Sequence, residues 1–579
     1  MTHALRRRLA LATALVVGGA AVVALMRCRQ TNSPSTPRGN ASAGTGALVR
    51  WSDDAVRLRS ADDDGVMLAD EVELFGLRGE TLAFQLVVTA GEQPLQGVTI
   101  TLGGIEGVVV DHFVTFEVPM KRRSGGVDPG VSLGWDDGAR PPGPEPGGTL
   151  VDPLIPIELA SHPAASSATP PWDYPMTVPA RRRRVLWVEL FLEETAPAGE
   201  HRATITVASG SGTTSVPMKL EIGRRTLPYA AAKTMVFVEP ETLSRRVGSG
   251  AIAPTLQLLH RHHVTPVLPL TEAEQLDRSP MKELLTGELF TERHGYDGPG
   301  RRIGADLAVL GMYGSLGMPD DAALERVDRL LARLDALAPN AQRFLYAVDE
   351  ECESPLGPAW RRALAQSGRP RLEALPVGHT CSEPPEQQDV DLVMMFASAY
   401  RPALAAATDK RVWIYNGVLP RTGSFLSDGW ALGLRANPWI QAHHGIERWF
   451  YWESVFYDDG NRGGLGPYDP FATSETFHNA DGDHANGDGV LVYPGRQTPP
   501  GFLDLGAERT LPSFRLAQWR RGIQDVGYLR LAEAIDPART RAIRASLVAG
   551  AFDADRAPRF PVTPEAWRRA RRELFELLR

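Results

Sequence analysis

Between residues 231 and 454 the sequence alternates short apolar runs with helical patterns, and this constrains the fold more than any other feature. The runs are TMVFVEP (234–240), VTPVLPL (264–270), LAVLGMY (307–313), RFLYAVDE (343–350), RLEALPV (371–377), DLVMMFAS (391–398), KRVWIYNG (410–417) and IERWFYWES (446–454). They are apolar on both faces, as parallel strands covered by helices are. Between them lie amphipathic segments such as DDAALERVDRLLARLDAL, where Leu324, Val327, Leu331 and Leu334 recur at helical spacing. Eight such strands with crossovers predict a (β/α)8 TIM-type barrel. The alternative is a doubly wound open sheet, but no GxGxxG follows the first strand to support a dinucleotide site.

The segment before the barrel has a different texture. From 48 to about 230, runs such as VELFGLRGETLAFQLVVTA, VTITLGGI, RRVLWVELFLEE, HRATITVAS and TTSVPMKLEIG carry β-branched or alternating apolar residues, with Gly, Pro and Asp between them. This predicts an all-β sandwich, interrupted by a Pro/Gly-rich excursion over 121–180. After the eighth run come a Gly/Asp-rich loop (457–489) and PSFRLAQWRRGIQDVGYLRLAEAI. That helix is expected to bury a stripe of Leu516, Trp519, Ile523, Val526 and Leu529, with Pro512 near its start. The chain therefore divides into an N-terminal targeting segment (1–29), a flexible linker (30–47), a sandwich (48–230), a barrel (231–535) and C-terminal helices (536–579).

The targeting segment consists of Arg6, Arg7 and Arg8 ahead of an uncharged run, Leu9–Met26. Cationic flanks stay in the cytoplasm, so the remainder is expected to be exported to the periplasm or cell surface. An uncleaved membrane anchor is the preferred reading over a lipidated Cys28, because Arg27 stands where a small residue is needed. Membrane contact is expected through this segment only. A formal net charge of −8 argues against a nucleic-acid partner. The three cysteines, Cys28, Cys352 and Cys381, form no disulfide framework and no CxxC knuckle. A Cys352–Cys381 bridge and two free thiols both fit the sequence.

FLYAVDEECES (344–354) ends an apolar run in four carboxylates: Asp349, Glu350, Glu351 and Glu353. Barrel enzymes carry their chemistry at the C-terminal ends of strands. There, a carboxyl group beside another charge and an apolar wall can hold a proton for a leaving oxygen. An exposed acidic loop is the plain alternative. Asp349 and Glu350 are the candidate catalytic pair, with Glu351 and Glu353 facing solvent. Around them, WIYNG contributes Tyr415 and Asn416, and WFYWES contributes Trp452 and Glu453, as candidate sugar contacts through aromatic faces and polar tips. Trp413 and Trp449 are read as core filling.

Taken in order, VELFGLRGETLAFQLVV, VDPLIP, PAGEHRATITV, YAVDE, LRANPW, WFYWE, GDGVLVYPG and PSFRLAQWRRGIQDVGYL resemble glycoside hydrolase family 123 and its relatives, over about residues 70–535. The resemblance implies a β-sandwich followed by a (β/α)8 barrel, and a β-N-acetylgalactosaminidase with a substrate-assisted retaining mechanism. Carried onto this sequence, Glu350 is the general acid/base, and Asp349 holds the sugar's 2-acetamido N–H. Tyr415 orients the acetamido carbonyl and Trp452 walls the pocket. Arg435 and Trp439, from LRANPW, join the candidate substrate contacts. The partner implied is a glycan. No cofactor or metal is expected, and the oligomeric state is not legible.

One departure stands out. The family pattern has Pro after Asp-Glu, whereas Glu351-Cys352 follows here. This leaves room for a second reading, a catalytically silent glycan-binding or cell-surface polysaccharide-assembly protein. DGDHANGDG (481–489) could be a calcium loop or a Gly-rich turn, but Ala485 occupies a ligand position. LHRHH (259–263) lacks the spacing of a metal helix and is read as structural, and the absence of a GxSxG elbow disfavours an esterase.

Overall fold

A computed structural model describes residues 47–60, 68–126, 133–136, 138–141, 143–160 and 172–579. Thr45–Arg579 is one compact unit. The expected anchor, and all but the last residue of the expected linker, lie outside the described residues. Among the described residues, no helix is long and apolar enough to cross a membrane.

Ten strands build two five-stranded sheets. They are β1 (Leu48–Asp53), β2 (Val72–Arg78), β3 (Thr81–Thr89), β4 (Leu95–Leu102), β5 (Val108–Pro119), β6 (Thr149–Pro156), β7 (Met176–Val178), β8 (Arg183–Leu192), β9 (Gly199–Ser209) and β10 (Gly212–Thr226). The first sheet runs β1-β3-β8-β5-β6 and the second β2-β10-β9-β4-β7. Leu186, Val188 and Leu190 of β8 share one hydrophobic core with Val216, Met218 and Leu220 of β10. The opposite face of the first sheet is also covered, because Ala83, Phe113, Leu154 and Trp187 pack against Phe514 and Ala517. Burial on both faces explains why β3 and β8 read as continuous apolar runs, whereas β9 alternates towards solvent.

Eight parallel strands follow: β11 (Thr234–Phe237), β12 (Thr265–Val267), β13 (Leu307–Leu310), β14 (Gln342–Val348), β15 (Val377–Thr380), β16 (Leu392–Phe396), β17 (Arg411–Tyr415) and β18 (Trp449–Tyr451). They pair in sequence, with β18 returning to β11. The sheet is nearly closed: between β12 and β13 a single bridge, Leu270–Leu310, joins the edges. Met235, Phe237, Val267, Val309, Phe344, Tyr346, Met394, Trp413, Tyr415 and Phe450 form a separate core of their own. These are alternate residues along the strands, as side chains filling a barrel must be. The helix Asp321–Leu337 packs outside, opened by Asp320, whose side chain accepts the Ala323 N–H at 2.7 Å.

Two expectations require correction. RLEALPV is not a strand: Pro370–Glu373 is a helical turn with Pro in its first position, and β15 begins only at Val377. The helix Phe514–Glu533 buries the expected stripe but is not confined to it; only Arg530, Leu531 and Glu533 escape burial. Its polar residues are accommodated by paired charges. Arg515 meets Asp152 at 2.8 Å, Arg520 meets Glu189 at 2.6 Å, and Arg521 meets Asp54 at 2.8 Å and Glu80 at 2.6 Å. All four carboxylates come from the sheet segment. Burial works against the Glu189 charge, but Arg520 more than offsets it and holds the carboxyl at about 2. His260, His262 and His263 are also buried, where desolvation disfavours their charged forms.

The described part of the 121–180 excursion reaches across to the barrel. Ser124 donates to Asp428 at 2.7 Å and accepts the Asn486 N–H at 2.8 Å. Trp135 bridges to Leu419. The loops that follow β17 and β18 are thereby braced by the N-terminal segment.

Candidate active site

The site grows out of the end of β14. Phe344 and Tyr346 point into the barrel, and the register with β15 slips between Tyr346 and Val348. The strand then gives way, and Glu350 takes up a left-handed backbone conformation, with φ 55. A regular strand would send two successive side chains to opposite faces. The slip and the left-handed residue release that alternation, and both Asp349 and Glu350 are exposed.

β15 supplies the anchor. Gly378 faces the barrel interior, where a Cβ would lie 3.0 Å from Phe344 and 3.1 Å from Leu392. Two residues on, Thr380 sits beside the acid pair. Its hydroxyl accepts the Glu350 N–H at 2.7 Å and donates to Asp349 Oδ1 at 2.8 Å. The Tyr346 hydroxyl donates to the same oxygen at 2.7 Å. Neither hydroxyl uses Oδ2. Immediately after Thr380, Cys381 forms a disulfide with Cys352, which settles the open choice between a bridge and free thiols.

Glu350 is held from across the barrel: the Tyr415 hydroxyl donates to its Oε1 at 2.6 Å. Crowding by surrounding protein raises the Glu350 pKa, the Tyr415 hydrogen bond opposes the rise, and the charges of Asp349 and Asp488 add to it. Burial and the neighbouring Glu350 charge push the Tyr415 phenol well up, so it remains a donor.

β18 closes the other side. Trp452 is half-buried; its indole N–H donates to Asp488 at 2.9 Å, and its backbone N–H to Asn416 Oδ1 at 3.3 Å. Asn416 is itself left-handed, with φ 56, and its amide oxygen serves Trp452. Glu453 is buried and accepts the Ser454 and Val455 amides at 2.7 and 3.0 Å. Burial raises its pKa to about 8, with Glu239 adding to the rise, so it carries a proton at neutral pH. Tyr313, left-handed after β13, donates its hydroxyl to the Trp452 carbonyl; burial, with the nearby carboxylates adding to it, pushes its phenol well up.

The structure thus brings Asp349, Glu350, Tyr415, Asn416, Trp452 and Glu453 to the C-terminal ends of β14, β17 and β18 at one barrel mouth. Arg435 and Trp439 do not join them. Both lie in the buried helix Gly433–His444 and donate to Asp525, at 2.8 and 3.1 Å. Trp413 and Trp449 are fully buried. Tyr346, Thr380, Tyr313, Asp488 and Glu239 belong to the mouth but were not anticipated. The apolar run RLEALPV draws the fifth strand upstream of Thr380, and Asp488 lies in DGDHANGDG, which reads as a turn or a calcium loop. Among the described residues, no group of three or more His, Cys, Asp or Glu could hold a metal ion.

A five-stranded antiparallel sheet and a five-stranded mixed sheet, in which β2 runs parallel to β10, precede a parallel eight-stranded barrel with carboxylates, hydroxyls and a tryptophan at its C-terminal mouth, and together these features define the class of the molecule. Among solved structures it is similar to a family 123 glycoside hydrolase from Clostridium perfringens, described for its hydrolysis of glycolipid glycans. That similarity has a TM-score of 0.58 and covers 92% of this chain and 97% of that one, at 11% identity. It is a likeness of fold. A family 39 glycoside hydrolase from Bacteroides cellulosilyticus WH2 covers 79% of this chain and 81% of its own at 9% identity, with a TM-score of 0.28 that carries no argument. No protein-family model matches the sequence, and no curated protein matches it.

Proposed function

We propose that this protein is an exported glycoside hydrolase that cleaves β-linked N-acetylhexosamine residues, N-acetylgalactosamine foremost, with retention and with the substrate's own acetamido oxygen as nucleophile. The observation that carries this reading is the pairing of Asp349 and Glu350 at one mouth, each held by its own hydroxyl donors. Substrate-assisted hydrolysis needs no enzyme nucleophile, so two adjacent carboxylates suffice. Glu350, with its raised pKa, donates its proton to the leaving oxygen and then deprotonates the incoming water. Asp349 Oδ2 accepts the acetamido N–H, which turns the carbonyl oxygen towards the anomeric carbon and steadies the oxazolinium intermediate. Trp452 offers an aromatic wall to the sugar. In this reading the two N-terminal sheets are a sandwich that braces the barrel, and residues 1–29 tether the chain outside the cytoplasm. A disulfide beside the site is in keeping with an oxidising compartment. The glycolipid-glycan chemistry described for the Clostridium perfringens structure makes glycolipid headgroups suitable substrates to try.

The test is release of aryl β-N-acetylgalactosaminides and β-N-acetylglucosaminides by the full chain and by Glu350→Gln and Asp349→Asn. Glu350→Gln is expected to lower kcat/KM by about 10²–10⁴-fold, the range for loss of a general acid. Activity unchanged by that substitution removes Glu350 from the role. Binding across a glycan panel without release of reducing ends supports the silent glycan-binding alternative that the Glu351-Cys352 departure raises.

A further inference from the structure

We propose that the Cys352–Cys381 disulfide is the positioning device of the acid pair, holding the loop after β14 so that Asp349 and Glu350 face the same sugar. Its catalytic consequence rests on the reading above; its structural claim does not. Glu350 occupies a backbone region that non-glycine residues rarely adopt, and such conformations persist only where the surroundings impose them. Two attachments flank it. On one side the Thr380 hydroxyl takes the Glu350 N–H and reaches Asp349. On the other, Cys352, two residues beyond Glu350, is bonded to Cys381, the residue after Thr380. Hydrogen bond and covalent bond thus close a small ring around the acid pair.

The Tyr346 and Tyr415 hydroxyls hold the side-chain tips of Asp349 and Glu350, but they do not fix the backbone that follows. Glu351 and Glu353 are exposed, and the local backbone bond is the Ser354 N–H to Glu351 at 3.1 Å. Four carboxylates within five residues repel one another and favour an opened loop. Cys381 is buried in the wall of the barrel and supplies a rigid post. Cys352 is only half-buried, so the bridge is open to a small dithiol. Such a reductant attacks one sulfur as the thiolate and breaks the S–S bond through a mixed disulfide. It leaves two cysteine thiols and its own cyclic disulfide, with two electrons and two protons transferred to the protein.

The experiment compares oxidised full-length protein, the same protein reduced with a dithiol, and the double variant Cys352→Ser/Cys381→Ser. Hydrogen exchange is followed on peptides spanning 349–354, with helix Phe514–Glu533 as reference. Breaking the bridge is expected to speed exchange of the Glu350 amide by at least about tenfold while the reference helix is unchanged. On an aryl 2-acetamido glycoside, kcat is expected to fall by about 10²-fold, the scale of an ångström-level misplacement, with KM within about twofold. The alkaline limb of the pH profile should move to lower pH as Glu350 gains water. Unchanged protection of the Glu350 amide after reduction overturns the proposal, as does loosening of the loop with kcat retained. If the double variant does not fold, reduction of the folded wild type decides. If the wild type cleaves no glycoside, the hydrolase reading falls, and exchange at the Glu350 amide still decides whether the bridge positions the loop.

Discussion

Glu350 and Glu453 share a barrel mouth, but their protons are held for different reasons. Crowding raises the Glu350 pKa, and Tyr415 partly restores the charged form. Tyr415→Phe removes a hydroxyl donor that steadies the anion, so the Glu350 pKa rises further. The alkaline limb of kcat/KM is expected to shift to higher pH, and a pH–rate profile on an aryl glycoside reads it. Glu453 is buried against the charge of Glu239, and the backbone amides of Ser454, Val455 and Glu239 that face it are served as well by a neutral carbonyl oxygen. Its folded pKa of about 8 lies above the ordinary 4.5, so between those values the folded state keeps a proton that the unfolded state has released. Stability falls as pH rises through that window, by up to about 1.4 kcal/mol per pH unit, and levels off above it. Glu453→Gln mimics the protonated form. It is expected to match the wild type in Tm near pH 4 and to exceed it near pH 8, so equal Tm values at pH 8 would show that Glu453 ionises freely. At this scale the sequence was informative where chemistry follows the strand end directly. Asp349 and Glu350 stand out as charges that terminate an apolar run. Tyr346 and Thr380, the residues that hold Asp349, are spaced like ordinary strand residues and give no local sign of their role.

Among the elements, the helix Phe514–Glu533 departs furthest from its sequence pattern. Its apolar positions read as one stripe, yet burial extends to the other faces because each of Arg515, Arg520 and Arg521 meets a carboxylate more than three hundred residues earlier. Periodicity reports which side chains are apolar, not which charges will find partners. The Arg520–Glu189 pair is closed by bidentate hydrogen bonds at 2.8 and 2.6 Å, with the Trp187 indole on the same carboxylate. Arg520→Met leaves Glu189 buried and unpaired, and is expected to destabilise the protein by about 3–5 kcal/mol. The double variant Arg520→Met/Glu189→Leu removes both charges and should recover most of that loss, as chemical denaturation would show. The same reasoning explains Arg435 and Trp439. Their segment was recognisable, but their partner, Asp525, lies in this distant helix and draws them away from the mouth. For β15 the misplacement has a local cause: Pro370 opens a helical turn, and Gly378 and Thr380 give the strand almost no apolar character.

In the molecule as a whole, sheets and barrel were legible as two textures of sequence, but their mutual dependence was not. The first sheet is covered on one face by the second sheet's core and on the other by Phe514 and Ala517. The barrel's final helix reaches its full burial only with that sheet in place. The excursion from β5 to β6 also braces the loops that carry Asp428 and Asn486, in the region that supplies Asp488 to Trp452. A barrel fragment comprising residues 231–579 would therefore expose Arg515, Arg520 and Arg521 without their carboxylates, together with the apolar residues between them. Unpaired buried charge and uncovered apolar surface both favour aggregation over a native fold. Expressed alone, this fragment is expected to be insoluble or to lack a cooperative thermal transition, whereas 45–579 should unfold in a single step, consistent with one compact unit. A soluble, monomeric fragment with the Tm of the longer chain would mean that the barrel folds independently and that the sheets are an appended module.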